Sequence, residues 1–332
     1  MKKILVTGAA GFVGFHLISK LLNNGFEVLG IDNLDDYYSV NLKKDRLSFL
    51  EQHLNFKFEK LDICNDQTSE VIKNYNPEIL FHLAAQAGVR YSFENPTKYL
   101  NTNISGTYNI LEVSKNLHLK HLLIASTSSV YGLNKDMPFK EDQRTDSQIS
   151  FYAATKKASE NLSHYYSYAF SLPITVFRFF SVYGPWGRPD MALFKFAKAI
   201  LNNESIQVFN HGNMKRDFTY IDDLVTSVEK LMSKPPTYGN DKTLNYEKYF
   251  DAPYRIVNIG NSSPEGLMDY INQLEVSLGK KAKKEYVEMQ TGDVEATWAN
   301  NDLLRELTEY VPETKISEGI PKFVEWFKEY YK

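Results

Sequence analysis

The stretch Ile4-Leu5-Val6-Thr7-Gly8-Ala9-Ala10-Gly11-Phe12-Val13-Gly14 decides how the rest of the chain is read. An apolar run enters a glycine-rich turn, and an amphipathic segment, Phe15 to Asn24, leaves it, which is the order strand, phosphate loop, helix. Gly8 is free to take backbone angles that a side chain forbids, Gly11 lets the chain approach a pyrophosphate, and Gly14 permits close helix-on-strand contact. The unpaired N–H groups of the first helical turn would then face the anion. Glycines spaced three and three differ from the G-x-G-x-x-G fingerprint, and the alternative is an ordinary tight turn. Context favours the nucleotide. A second apolar run, Phe26 to Ile31, ends at Asp32, where a carboxylate would accept both adenosine ribose hydroxyls and repel a 2′-phosphate, so NAD is expected rather than NADP.

The chain has 332 residues, 43% hydrophobic and 24% charged, with a net charge near −3, which is the make-up of an ordinary globular protein. No basic tract supports nucleic-acid binding. No apolar run reaches the length of a membrane span, and a first strand beginning at residue 4 is expected to leave no room for a signal segment. Cys64 is the only cysteine, so an internal disulfide and a thiolate metal cluster are both excluded, and a reducing cytoplasm is expected. The histidines show no metal-ligand spacing; His16, His82, His164 and His211 read as structural, and no metal is expected.

Strands are expected at Phe56 to Leu61, Ile79 to Leu83, His121 to Ala125 and Pro173 to Phe180. Helices are expected from Asn41 to about His53, from near Asp66, from about Thr97 to Asn116 and from Tyr152 to Phe170. This alternation predicts an α/β fold, a Rossmann-type doubly wound parallel sheet over 1–180 with right-handed crossovers. Segments 217–233 and 254–260 are expected to return to that domain, Asp217 to Tyr220 among them. Residues 181–216 and 261–332 would form a smaller C-terminal α/β substrate-binding domain, and 235–253 reads as a long connection. Asp62 and Ile63, at the end of the third strand, suit an adenine ring, the alternative for Asp62 being a helix cap. Ala84 to Arg90 is a run of small residues where backbone must come close to a ligand. The cofactor candidates are thus Gly8, Gly11, Phe12, Val13 and Gly14 in the turn, then Asp32, Asn33, Asp62 and Ile63, then Leu83, Ala84, Ala85 and Thr102.

Tyr152 and Lys156 stand four apart at the start of a helix and so share a face. A free tyrosine has a pKa near ~10, too high for a general base at neutral pH. A neighbouring ammonium and a positively charged nicotinamide ring would favour the phenolate, and the lysine would also hold the nicotinamide ribose. Thr127, in the hydroxyl cluster Ser126-Thr127-Ser128-Ser129 at a strand end, would share a hydrogen bond with the same substrate oxygen. Alone, such a pair also describes a solvated i,i+4 contact.

These motifs carry a resemblance. Thr7-Gly8-x-x-Gly11-x-x-Gly14, His82-Leu83-Ala84-Ala85, Ser126-Thr127 and Tyr152-x-x-x-Lys156 resemble the extended short-chain dehydrogenase/reductase family. Ala84 to Ser92, Tyr152 to Ala158, Arg178 to Phe180, Asp190 to Phe194 and Arg216 to Asp223 bring the likeness nearest to its UDP-glucuronate 4-epimerases. The resemblance implies a bound NAD, Tyr152 as acid and base at the sugar 4-hydroxyl, no net oxidation, and a homodimer pairing helices around 101–116 and 152–170.

Related sugar 4,6-dehydratases carry Asp-Glu where this chain has Ser128-Ser129, and the related decarboxylases carry a glutamate at Ser129, so neither elimination nor decarboxylation has its helper here. Arg188 is expected to bind the sugar carboxylate bidentately, helped by hydroxyls such as Ser181, where the family usually has threonine. Arg216 is the candidate for the pyrophosphate, and Gln207 to Phe209 for the strand beside uracil; Arg90, Ser128 and Asp293 complete the substrate set. Gln290 replaces a phosphate-binding arginine of some UDP-galactose epimerases. The alternative substrates are UDP-glucose/UDP-galactose or UDP-N-acetylhexosamines.

Overall fold

The computed structural model describes residues 2–238 and 251–332. Six strands come first: β1 (Lys3–Thr7), β2 (Glu27–Asp32), β3 (Phe56–Lys60), β4 (Ile79–His82), β5 (His121–Thr127) and β6 (Ile174–Phe179). Then follow β7 (Ser181–Tyr183), β8 (Ser205–Phe209), β9 (Lys215–Tyr220) and β10 (Tyr254–Ile259). β10 rejoins the first group, giving a seven-stranded sheet in the order β10-β6-β5-β4-β1-β2-β3, with every neighbouring pair parallel. Strand order reverses between β1 and β4, and ligands bind in the crevice at that reversal, beyond the carboxyl ends of the strands.

The helices between these strands are α1 (Phe12–Asn23), α2 (Val40–Leu50), α3 (Asp66–Tyr75), the short α4 (Tyr91–Glu94) and α5 (Pro96–Tyr99), α6 (Thr107–Ser114) and α7 (Phe151–Phe170). Alternation along a strand sends successive side chains to opposite faces. Ile4 and Val6 accordingly join a core with Phe15, Ile18 and Leu21 of α1, while Leu5 joins a separate core with Ile110 and Leu111 of α6 and Tyr166 of α7. Both faces of the sheet are covered, which is why β1 is apolar at consecutive positions. Each such side chain contributes about 1.5–3 kcal/mol on burial.

The helix expected over 97–116 is interrupted. Between α5 and α6 lies a wide π turn, Leu100–Gly106, that points Asn103 inward. Its Oδ1 accepts the Gln86 N–H (2.8 Å) and its Nδ2 donates to Gln86 O and Thr155 Oγ1 (both 3.0 Å), so one amide ties the loop after β4 to α7. Such turns often lie at functional sites. Gly106 has to be small because a Cβ there would stand 2.5 Å from Ile63 Cδ1.

The second part of the chain adds α8 (Ala192–Leu201), α9 (Ile221–Met232), β11 (Pro264–Gly266), α10 (Leu267–Leu278), β12 (Lys283–Val287), β13 (Ala296–Thr297), α11 (Asp302–Thr308) and α12 (Ile316–Tyr330). β9 centres a small sheet with β7, β11 and β13, and β8 pairs with β12. Asp217 to Tyr220, expected to return to the first domain, therefore lies in the small sheet, where Asp217 accepts N–H groups from Asn261, Ser262 and Ala299. The helix that follows does return: α9 packs on α1. The connection expected at 235–253 lies partly outside the described residues. At the far end, Trp326 and Tyr330 of α12 lie against Trp186, with ring centroids 5.4 and 5.2 Å away, and Arg46 donates to the carbonyls of Trp186 and Gly187.

A strap over 133–150 crosses the β10 edge of the sheet. Glu141 is buried there and accepts the Asn258 N–H at 2.8 Å, while Asn258 Nδ2 donates to Phe139 O. Burial pushes the Glu141 carboxyl up to about 7, against the lowering effect of that N–H and of Arg178. An unfolded glutamate titrates near ~4.3, so between the two values the folded state holds the extra proton. The stabilising contribution is complete below the lower value and is lost as pH rises through the upper one. Glu141→Gln keeps the acceptor for Asn258 without titrating. Thermal melts from about pH 5 to about pH 8 are expected to show parental stability falling relative to the variant's; parallel curves would contradict it.

Candidate active site

The glycine turn closes on itself. Gly8 has φ +76° and donates to Ile31 O (2.8 Å), and a Cβ on Gly14 would fall 2.1 Å from Gly8 O. Any side chain at Gly14 would push α1 off the loop. Gly11 caps α1 without a side-chain bond, leaving first-turn N–H groups directed toward the crevice. A 260 Å³ cavity begins at this turn, passes Asp32 and Asn33, and ends at Thr127, Tyr152 and Lys156. Of the fifteen sequence-derived cofactor candidates, all but Asp62 line it. Asp62 accepts the Cys64 N–H and the Asn33 amide, both at 2.8 Å, in the turn that precedes α3, while Ile63 faces the cavity.

Asp32 ends β2. Its Oδ2 takes the Ala10 N–H (3.1 Å) and its Oδ1 the Leu34 N–H (2.8 Å), so each oxygen keeps one acceptor position for a ligand hydroxyl. Burial raises its pKa, opposed by Lys43 and those two N–H groups. The cavity suits an elongated dinucleotide, with backbone donors and a helix amino end for phosphates and a carboxylate for a ribose. His82 takes no part: it is buried between Thr7 Oγ1 (2.8 Å) and Thr107 Oγ1 (3.1 Å), and burial drives its pKa down to about 3.

Tyr152 and Lys156 enter from the first turn of α7, which Ser150 caps by accepting the Ala153 N–H at 3.1 Å. One turn on, Glu160 is fully buried and held by Ser126 Oγ (2.7 Å) and by Arg178 Nε and Nη2 (both 2.9 Å). This pair locks α7 against the carboxyl ends of β5 and β6. Burial lowers Lys156 to about 8, with Glu160 pulling the other way. Tyr152 is raised by burial, opposed by the Thr127 hydroxyl and by Arg188. Arg188 is thus a cation acting on the phenol that the residue spacing does not indicate.

A second cavity, 800 Å³, meets the first at Thr127, Tyr152 and Arg188. All nine substrate candidates, Arg90, Thr127, Ser128, Ser181, Arg188, Gln207, Phe209, Arg216 and Asp293, line it. Arg216 is half-buried and donates to the carbonyls of Val294 (2.7 Å) and Glu295 (3.1 Å). Arg90 lies over the Phe209 ring (4.7 Å) and pairs with Asp293 (3.2 Å), making a flat, polar-edged shelf. Among the described residues no group of three His, Cys, Asp or Glu side chains could hold a metal ion.

Several lining residues had no sequence signal: Tyr37 and Tyr38 in an aperiodic loop, Lys43 on α2 over the Tyr38 ring, and Gln86. Asp190 is not among the candidate site residues either, although it opens the Asp190 to Phe194 match and stands two residues after Arg188 in a Gly/Pro loop.

Residues 4–246 match the model of the NAD dependent epimerase/dehydratase family. Protein CapI of Staphylococcus aureus is 50% identical over 339 residues, covering 99% of each chain. A probable UDP-glucuronate 4-epimerase of Rhizobium meliloti (strain 1021) is 44% identical over 99% of this chain and 98% of its own. The crystal structure of UDP-glucuronic acid 4-epimerase from Bacillus cereus, in complex with UDP-glucuronic acid and NAD, matches with a TM-score of 0.89 and 34% identity, covering 99% of this chain and 100% of that one. Likeness of this extent, on top of a crevice shaped for a dinucleotide, settles the kinship: this chain belongs to the NAD dependent epimerase/dehydratase family.

Proposed function

We propose that the protein interconverts UDP-glucuronate and UDP-galacturonate by inverting carbon 4 of the sugar. The observation that carries this is the junction of the two cavities, where one acid–base side chain, Tyr152, faces both the dinucleotide groove and a sugar-sized space. The Gly8 turn, Asp32 and Lys156 would hold NAD, which when bound would serve as a reversible two-electron oxidant for carbon 4. Tyr152 takes the proton of the 4-hydroxyl and returns it after the sugar has turned over. Thr127 hydrogen-bonds the same oxygen. Lys156, kept near the edge of its charged range by burial, holds ribose hydroxyls and favours the phenolate when protonated.

Ser128 and Ser129 line the sugar space where a second acid would be needed to expel a hydroxyl or assist loss of carbon dioxide. Arg216 is suited to the pyrophosphate, and the Arg90–Phe209 shelf with Gln207 to the base. Arg188 supplies positive charge for the sugar acid. We also infer a homodimer through α6 and α7, supported by the exposed rings of Tyr108, Tyr165 and Tyr168 on those helices. No described helix is long and apolar enough to cross a membrane, and the free thiol Cys64 fits the cytoplasm.

Incubated with UDP-glucuronate, the purified protein is expected to form UDP-galacturonate without NADH build-up or carbon dioxide release; a folded, NAD-loaded preparation that forms none refutes the reading. Tyr152→Phe is expected to lower kcat by about 10²–10⁴-fold with substrate binding retained, measured by turnover and calorimetry. Sedimentation is expected to give twice the 38.3 kDa chain mass, and Tyr165→Asp with Tyr168→Asp to give the monomer.

A further inference from the structure

Arg188 spends one of its two forked edges inside the protein. Nε donates to Asp190 Oδ1 at 2.9 Å and Nη2 to Asp190 Oδ2 at 2.5 Å, a two-bond pairing that occupies one edge of the guanidinium. Nη1 has no hydrogen-bond partner among the described residues, and Arg188 borders both cavities. Asp190 is itself held from behind, since the Tyr37 hydroxyl donates to its Oδ2 at 3.2 Å.

Tyr37 is fixed in turn. Its N–H donates to Asp35 Oδ1 (3.0 Å), Asp35 pairs with Lys98, and its ring lies 4.7 Å from that of Tyr91. The Gly88 backbone is so close that a Cβ there would meet the Tyr37 hydroxyl at 2.5 Å. Tyr37 thus borders both cavities, and Asp190 the sugar one. The chain Tyr37–Asp190–Arg188 bridges them at the mouth of the reaction site. Burial opposes the charge on Asp190, but Arg188 outweighs it and keeps the carboxylate ionised.

We propose that Asp190 is a positioning and specificity-determining residue: by occupying the Nε/Nη2 edge it leaves the Nη1/Nη2 end of Arg188 as the edge that meets the sugar carboxylate, and its charge offsets part of the guanidinium's pull on that carboxylate and on Tyr152. This rests on the uronate reading above. An uncompensated guanidinium would bind the acid more tightly, and would also hold back a group that has to leave its place when the sugar turns over. A partly neutralised end recognises the acid while leaving that rotation open. The screening matters because Tyr152 is faced by few charges: Arg188 from the loop after β7, with Asp190 paired to it, and Lys156 one turn on along its own helix in the same cavity, the neutral Tyr99 ring lying 6.1 Å away on α5 and Thr127 at the end of β5.

The test uses Asp190→Asn, which keeps side-chain shape and an acceptor oxygen but removes the charge, and Tyr37→Phe, which removes only the hydroxyl behind it. UDP-glucuronate and UDP-glucose affinities are measured by calorimetry on NAD-loaded protein, with kcat followed against pH. Asp190→Asn is expected to raise the preference for UDP-glucuronate over UDP-glucose on the order of tenfold, about 1.4 kcal/mol. It is also expected to lower kcat for the uronate and to move the acid limb of the pH profile to lower pH, because a less screened guanidinium favours the phenolate. Tyr37→Phe is expected to shift both readings the same way by less. A loop staple with no electrostatic role would weaken both sugars alike and leave the acid limb in place, and that result overturns the proposal. If the parent protein turned over only neutral UDP-sugars, the uronate reading would fail by itself; an unmoved acid limb with the sugar that is turned over would then refute the role of Asp190 separately.

Discussion

The buried pair between Glu160 and Arg178 is the constraint on which the reaction site depends. Two fully desolvated charges in a forked pairing, with Ser126 as a third partner, join β5, β6 and α7 at one point. Removing one partner of such a pair typically costs about 3–5 kcal/mol, because the other is left charged and buried. The geometry upstream follows from it. With α7 locked at Glu160, Lys156 and Tyr152 fall one and two turns back toward the strand ends, where the dinucleotide groove and the sugar space join. Asn103 holds the same helix from the other side through Thr155, so that α7 is fixed by an ion pair on one flank and an amide on the other.

Electrostatics at the site are arranged by burial more than by attraction. Burial alone would keep Tyr152 protonated and Lys156 partly neutral, the opposite of what proton transfer at carbon 4 requires. Arg188, Thr127 and Glu160 each offset part of that cost. The dry, shaped crevice strengthens every charge interaction inside it, so modest changes in pairing at the loop after β7 carry to the phenol.

Much of this was legible in the residues because it has a period or a special backbone need. The consecutive apolar positions Ile4 to Val6 announce a strand covered on both faces; Gly8 and Gly14 announce a turn that tolerates no side chain; the four-residue step from Tyr152 to Lys156 announces a shared face. What was not legible lacks any local signature. Tyr37 reaches the site from a loop, and Asp190 acquires its partners only when that loop folds against the sugar side. The π turn at Leu100–Gly106 is hidden within a helical pattern, since it is dictated by contacts to Gln86 and Ile63 far along the chain. Asp62 is open between an adenine contact and a cap in the sequence, and in this structure its carboxylate accepts the Cys64 N–H and the Asn33 amide. Asp217 to Tyr220 carried a strand pattern but nothing that told one sheet from the other.

The rings at the carboxyl end have a practical bearing. Trp326 and Tyr330 rest on Trp186, which stands two residues before Arg188 in the loop that meets the sugar. Whatever is appended to the last helix, an affinity handle or a fusion partner, therefore presses on a lever whose other arm lies beside the substrate. Such additions would be felt first in turnover and sugar preference, well before any loss of the fold, and an amino-terminal handle is the gentler choice for kinetic work.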